Sequence, residues 1–483
     1  MNRHPVSERR RCGILLPVTA LPESPGNGDL DAAPRFIDWL VSVGASVWQL
    51  LPMGPPHVDR SPYLCLSAYA GDPALIGLQW LREQGWCGTV PPTGNRRQYL
   101  NMAYQHFSNH PKFDVQQEYQ HFVETTHHWL DDYALFIVLR QHHEKRAWID
   151  WPAPLRHREP AAMARARAQW SAILDEIKFT QFLFFKQWGE IRNYAQQSGL
   201  LLFGDMPLFV AHDSADVWAN RRYFQLEEDG QAAVVAGVPP DYFSATGQRW
   251  GNPHYRWSAM QADNFLWWTK RMETQFNMYD LVRLDHFRGL QAAWEIPAHS
   301  TSAEQGAWQV APGAELLHCL ENNFANLPLV AEDLGLITPN VVALREQFNL
   351  PGMCVLQFAF DGGADNPYLP HNLHKNCVLY TGTHDNDTSL AWFQALTNKQ
   401  RLRVLTYLRC ETKDMPLELL ATALASVAQW AILPLQDVLR LGAGHRINIP
   451  GTSVGNWRWR FEWRQLTTQL TDDLRTLNAI YGR

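Results

Sequence analysis

The chain is 483 residues long, with 46% hydrophobic residues, 19% charged residues and a formal net charge of −6. That composition excludes an intrinsically disordered chain, and the acidic balance has the wrong sign for a surface that tracks nucleic-acid phosphates. The outlier is tryptophan, with 21 residues in an aromatic total of 12%; this is more indole than a core needs, and it suits a surface on which flat, weakly polar ligands stack.

Near the N-terminus, Arg9, Arg10 and Arg11 precede an apolar stretch that stops at Pro17, too short for the hydrophobic region of a secretory signal. No later run reaches the ~18 to 20 apolar residues that cross a bilayer, so no membrane partner is expected. The seven cysteines are scattered without a CxxC pair. They point away from a disulfide framework or zinc site and towards a reducing compartment, with the cytoplasm as the expected location.

Eight short β-rich runs follow one another, at residues 13–18, 46–51, 200–204, 280–284, 327–331, 354–358, 376–380 and 431–435. Continuous apolar runs are the pattern of strands buried on both faces. Helical patterns lie between most of them, at 161–197, 265–279, 339–348 and 398–409. In 265–279, Phe265, Trp268, Met272, Phe276 and Tyr279 recur at helical spacing and read as core. Strand alternating with helix eight times predicts an α/β fold, a TIM-type (β/α)8 barrel, with residues 1–483 as a single domain. The spacing is uneven. Large helical insertions are expected at 52–199, between strands 2 and 3, and at 206–279, between strands 3 and 4, covering one mouth of the barrel. No internal repeat is visible.

Five predicted strands end in an acid: Asp205, Asp285, Glu332, Asp385 and Asp437. C-terminal strand ends carry the chemistry of such barrels. The competing reading is a set of helix N-caps, which applies above all to Asp437. It applies least to Asp285, where Arg283 and His286 gather around the acid. Residues two apart on a strand share a side, so Arg283 lies beside Asp285. The cation is expected to lower the pKa of Asp285 and keep it ionised, as a nucleophile requires. Glu332, on the next strand, faces a fixed negative charge in a partly buried place. Its pKa is expected to rise, which suits a general acid. One ionised and one protonated carboxyl ~5–5.5 Å apart form the arrangement of a retaining glycosidase. Asp385 with His384 is placed to bind sugar hydroxyls beside the reacting carbon. Acid pairs also bind divalent metals, but the aromatic wealth favours sugar, because pyranose rings present apolar faces that stack on indole.

At these positions the sequence resembles the amylomaltases, also called 4-α-glucanotransferases or disproportionating enzymes, of glycoside hydrolase family 77. The matching strings run almost end to end: SPY and AYAGDP within 61–73, HDSADVW at 212–218, GVPPDYFSATGQRWGNP at 237–253, VRLDHFRG at 282–289, AEDLG at 331–335, VLQFAFD at 355–361, YTGTHDNDT at 380–388, and NIPGT with GNWRWR near the C-terminus. The resemblance implies Asp285 as nucleophile, Glu332 as acid/base and Asp385 as the carboxylate that stabilises the transition state. It implies Arg283 and His384 as contacts to the sugar at the cleavage point, and Tyr63, Asp213, Asp361 and Asn448 as donor-side binding positions. The 237–253 string matches a loop that closes over the cleft, with Tyr242, Phe243 and Trp250 as aromatic contacts and Trp257 just beyond. Gly237, Gly247 and Gly251 are its expected hinges. The implied substrates are malto-oligosaccharides and other α-1,4-glucans of maltodextrin, starch or glycogen metabolism, handled without metal or organic cofactor.

Two stretches depart from the family pattern. Before SPY, where a small Gly-rich turn with an acid or Asn is expected, the chain has Pro55, Pro56, His57, Val58, Asp59 and Arg60, so the resemblance does not carry over donor-side preference, or binding at any remote glucan groove nearby. In AAWEIPAHSTSAEQGAW, Glu295 and His299 read as surface variation. Two other functional classes stay open on sequence grounds: a hydrolase of the α-amylase clan using the same acids, and a non-catalytic glucan-binding protein. Three mutually repelling carboxylates have no use in the latter.

Overall fold

Strands form where apolar residues can be buried on both faces of a sheet, and here eight of them close on each other. The computed structural model describes residues 4–22, 28–87, 95–110, 112–240 and 246–483. Its strands, in chain order, are β1 (Arg11–Leu15), β2 (Val47–Gln49), β3 (Leu201–Pro207), β4 (Val234–Val238), β5 (Gln248–Pro253), β6 (Leu281–Asp285), β7 (Ala292–Pro297), β8 (Ala307–Val310), β9 (Leu329–Ala331), β10 (Gly352–Val355), β11 (Cys377–Tyr380) and β12 (Trp430–Pro434). One sheet runs β10-β11-β12-β1-β2-β3-β6-β9 with every pairing parallel. The backbone N–H of Ala331 donates to the Pro351 carbonyl at 2.9 Å, joining β9 to the start of β10. The result is the TIM-type (β/α)8 barrel.

Alternation along each strand sorts side chains between two cores. Leu15, Val47, Phe203, Leu281, Val330, Val378 and Ile432 fill the barrel interior. Ile14, Trp48, Leu202, Val282, Leu329, Leu379 and Leu433 pack outwards against the helices. Gly13 fits the narrow interior because a Cβ there would meet Val47 Cβ at 2.8 Å and Ile432 Cδ1 at 2.5 Å.

Between β2 and β3 the chain is helical, dominated by Phe113–His142 and Ser171–Gln197. These two pack through aromatic pairs such as Tyr119 with Phe182 and Phe122 with Phe185, each 5.6 Å between ring centroids. The helix expected at 161–197 is two helices, Pro160–Gln169 and Ser171–Gln197, parted at Trp170, whose ring packs against His142. No helix of the described residues is long and apolar enough to cross a membrane.

The stretch between β3 and β6 carries helices and also β4 and β5, which the sequence pattern did not reveal. They join β7 and β8, from beyond β6, in an antiparallel sheet ordered β5-β4-β7-β8. Gly237, read as a hinge, lies inside β4. A Cβ there would run into the Gln248 carbonyl oxygen and the Ile296 side chain, so the glycine lets strands approach closely.

Candidate active site

The site is built where β3, β6, β9 and β11 end. Asp205 and Arg283 are register partners on β3 and β6. The buried Arg283 guanidinium donates from Nη1 to both Asp205 carboxylate oxygens at 2.9 Å, and from Nη2 to Asp285 Oδ1 at 2.9 Å. One planar cation thus fixes two acids, a geometry that the rigid fork of arginine allows and lysine does not. The Tyr63 hydroxyl donates to Asp205 Oδ2 at 2.7 Å. Its ring stacks on His384, with centroids 5.0 Å apart.

Leu284 of β6 and Ala331 of β9 are register partners, so Asp285 and Glu332 follow at one level on neighbouring strands, which run ~4.8 Å apart. Glu332 is gripped by backbone: the His286 N–H donates to Oε2 at 2.7 Å and the Leu334 N–H to Oε1 at 3.0 Å. His286 adopts a left-handed backbone, φ 55°, which is uncommon for a residue other than glycine, although histidine tolerates it better than most. That turn directly after Asp285 aims its amide at Glu332. Asp385 lies on the loop after β11, where Asn448 Nδ2 donates to its Oδ1 at 2.6 Å and His384 Nε2 stands 3.3 Å away.

Loss of water around Glu332 pushes its carboxyl up to about 7, with the charge of Asp285 adding to the rise and Arg283 and the two amides opposing it. Burial also raises Asp285 above its ordinary value; Arg283 opposes, and Asp205 adds to the rise. This corrects the expectation that Arg283 would lower it: the cation is shared with Asp205, and desolvation outweighs its pull. The proton still belongs on Glu332, because Asp285 accepts directly from a guanidinium whereas Glu332 accepts only from neutral amides. Burial works against the charge of Arg283, but Asp205 and Asp285 outweigh it and raise its pKa. Burial drives His286 down to about 3, so its ring is neutral beside Glu332.

The remaining predicted residues are dispersed. Trp250, on β5, stands edge-on to His286 at 4.8 Å and 88°. Trp257 packs among Tyr255 and Trp268. Asp361 is exposed after β10. Asp213 is held by Arg140 at 3.1 Å and the Trp148 N–H at 3.2 Å, with His57 Nδ1 3.9 Å away, a cluster apart from the three acids. Tyr242 and Phe243 lie outside the described residues. Glu295, read as surface variation, is half-buried and accepts from Gln225 Nε2 at 2.8 Å; His299 is exposed. Asp437 is buried, taking the Thr381 hydroxyl and the Ser389 amide and hydroxyl, all at 2.6 Å. It is not an N-cap: it lies inside the short helix Leu435–Val438, whose cap is Pro434, and it holds from the side the first residue of the helix Ser389–Ala395, which Thr388 caps.

Two residues escaped assignment from sequence. Asp205 was visible as a strand-end acid, and only the register of β3 with β6 gives it the Arg283 contact. Trp457, inside the GNWRWR string, lies 6.0 Å from the Tyr63 ring and 5.9 Å from that of His384, with a left-handed φ of 60°. With Trp459, Met53 and Arg60 it lines a cavity beside these rings. Among the described residues, no three His, Cys, Asp or Glu side chains are grouped to hold a metal.

Residues 16–467 match the model of glycoside hydrolase family 77, described as 4-alpha-glucanotransferase. The chain is 45% identical to the 4-alpha-glucanotransferase of Synechocystis sp., over 99% of this chain and 98% of that protein. It is 44% identical to the 4-alpha-glucanotransferase of Thermus thermophilus, over 93% and 94%. Its structure superposes on the amylomaltase from Streptococcus agalactiae with a TM-score of 0.94 and 34% identity, covering 98% and 100%. The chain belongs to the 4-alpha-glucanotransferase family, glycoside hydrolase family 77.

Proposed function

We propose that this enzyme transfers α-1,4-glucan segments between malto-oligosaccharides by a retaining double displacement, with Asp285 as nucleophile, Glu332 as acid/base and Asp385 as the carboxylate that steadies the transition state. The observation that carries the assignment is the Arg283 fork, which fixes Asp285 beside a Glu332 whose carboxyl is pushed up to about 7.

In the first step an Asp285 oxygen bonds to the anomeric carbon as the bond to the departing chain breaks. Glu332 gives its proton to the departing oxygen, which becomes the 4-hydroxyl of the released chain. In the second step an acceptor 4-hydroxyl returns a proton to Glu332 while its oxygen displaces Asp285. One α-1,4 bond is broken and one is made, both carboxyls are regenerated, and two inversions retain the configuration. Asp385, oriented by Asn448, and His384 face sugar hydroxyls near the reacting carbon, on the side where the Tyr63 and Trp457 rings meet at a tilt.

Transfer competes with hydrolysis for one intermediate, so water at ~55 M has to be excluded and the acceptor oriented. Strands β4 and β5, with Trp250 against His286, are read as closing that face; Tyr242, Phe243 and Trp257 are read as further substrate-binding aromatics of this segment, and Asp213 and Asp361 as donor-binding residues. Residues 52–199 and 206–279 are read as insertion subdomains of a single catalytic domain, 1–483, and the cytoplasm as its place of action.

Wild-type enzyme given maltotriose alone is expected to yield glucose and longer oligomers. Asp285→Asn and Glu332→Gln are each expected to lower turnover by at least ~10³-fold while maltotriose still binds. Near-wild-type glucose release by either variant would remove that residue from the mechanism, and a steady net gain of reducing ends by the wild type would make the enzyme a hydrolase.

A further inference from the structure

The edge strand β8 is exposed at all four of its residues, which are the uncharged Ala307, Trp308, Gln309 and Val310. Exposed edge strands are usually blunted by charge, proline or a bulge. Here an indole stands in the open: Trp308 is 38% exposed and Val310 is 78% exposed. Trp308 is nevertheless held firmly. Its register partner on β7 is Trp294, edge-on at 5.1 Å, and the Arg288 guanidinium lies over its ring 3.7 Å from the centroid. Arg288 is buried, and its Nη1 donates to the carbonyl of Leu336, itself 52% exposed.

This patch is continuous with the site. Arg288 follows Asp285 by three residues, just past the His286 amide that grips Glu332. Leu336 follows Glu332 by four, just past the Leu334 amide that grips the other oxygen. The run Leu336, Arg288, Trp308 therefore leads outwards from the acid/base, the residue that serves the departing and incoming chains, and away from the Tyr63 and Trp457 side.

We propose that Trp308, backed by Arg288 and flanked by Leu336 and Val310, is a stacking subsite for distal glucose units of an acceptor α-1,4-glucan. The inference rests on the transferase reading above. The apolar face of a pyranose fits an indole, and an exposed strand whose four side chains carry no charge suits a neutral polymer. The cation over the ring and the edge contact from Trp294 fix the indole before binding, so little side-chain freedom is lost when sugar arrives.

The test compares glucose, maltose and maltoheptaose as acceptors for the full-length Trp308→Ala variant, with Trp308→Tyr and Leu336→Ser beside it. For Trp308→Ala, KM for maltoheptaose is expected to rise about tenfold and kcat/KM for glucose to stay within twofold; Trp308→Tyr recovers most of the loss, and Leu336→Ser shifts it the same way. An equal loss with glucose and maltoheptaose, or none with either, overturns the proposal. So does a wild-type dimer that Trp308→Ala converts to monomer in sedimentation, which makes the strand an interface between copies. Failure of the transferase reading itself is seen separately, as wild-type enzyme that forms no longer oligomers from maltotriose.

Discussion

Arg283 spends one terminal guanidinium nitrogen on Asp205 and the other on Asp285, both at 2.9 Å, so the position of Asp285 is tied to that of Asp205 through one cation. In the proposed mechanism Asp205 is a positioning residue, and its negative charge also raises the pKa of Asp285. Asp205→Asn keeps the shape and removes the charge. We expect kcat to fall by roughly 10²-fold with KM for maltotriose within threefold, because the loss is in alignment rather than uniform binding. The acid limb of the pH–rate profile moves to lower pH, since Asp285 then ionises more easily. A variant with unchanged kcat and an unmoved acid limb would show the contact to be structural only.

The proton on Glu332 predicts a basic limb. The first step needs Glu332 protonated, so kcat/KM is expected to fall tenfold per pH unit above about 7. Stability carries the same signature. The folded protein holds this proton more tightly than the unfolded chain, where the carboxyl titrates near 4.5. Its stabilising contribution is therefore complete below 4.5 and lost as pH rises to about 7. Glu332→Gln removes the burden of a desolvated charge, so its melting temperature relative to wild type should be higher at pH 8 than at pH 4. Parallel melting curves across that range would contradict the assignment.

Trp250 leans on His286, whose amide holds Glu332. Trp250→Ala opens that wall to solvent, and the ratio of hydrolysis to transfer is expected to rise several-fold. Reducing-end yield compared with total glucose released from maltotriose measures it; an unchanged ratio takes Trp250 out of water exclusion.

Asp437 is the contrasting strand-end acid. Its three donors are all protein groups, so Asp437→Ala leaves them buried and unpaired at a cost of about 3 kcal/mol. Urea unfolding should show that loss while the surviving folded enzyme keeps wild-type kcat. Reduced kcat at unchanged stability would assign it to the chemistry instead.

The barrel was legible because its strands are short apolar runs, as burial on both faces demands. Asp285 and Glu332 were legible because each sits directly beyond such a run, and Asp385 because it lies on the short loop that follows one. Strands β4, β5, β7 and β8 were not: β8 has no buried side chain, β5 contains Gly251 and Asn252, and the pairings join segments separated by a barrel strand. Asp213 and Asp205 lie eight residues apart, at the two ends of one mostly apolar stretch, and only the pairing of β3 with β6 separates the acid that meets Arg283 from the one that meets Arg140. The direction of the Asp285 shift was unreadable for a related reason. Spacing reveals a neighbouring charge, but neither the water lost around it nor the second anion that shares it.

The barrel's seam falls between β9 and β10, where the Ala331–Pro351 hydrogen bond joins the strands and the Asp333 carboxylate, tied to Arg345, takes the Met353 amide at 2.7 Å. Glu332 stands between those two fastenings. The side chain proposed to release and regain a proton in every cycle therefore sits at the joint of the wall that is closed by single fastenings on either side of it rather than by a ladder of paired strand residues.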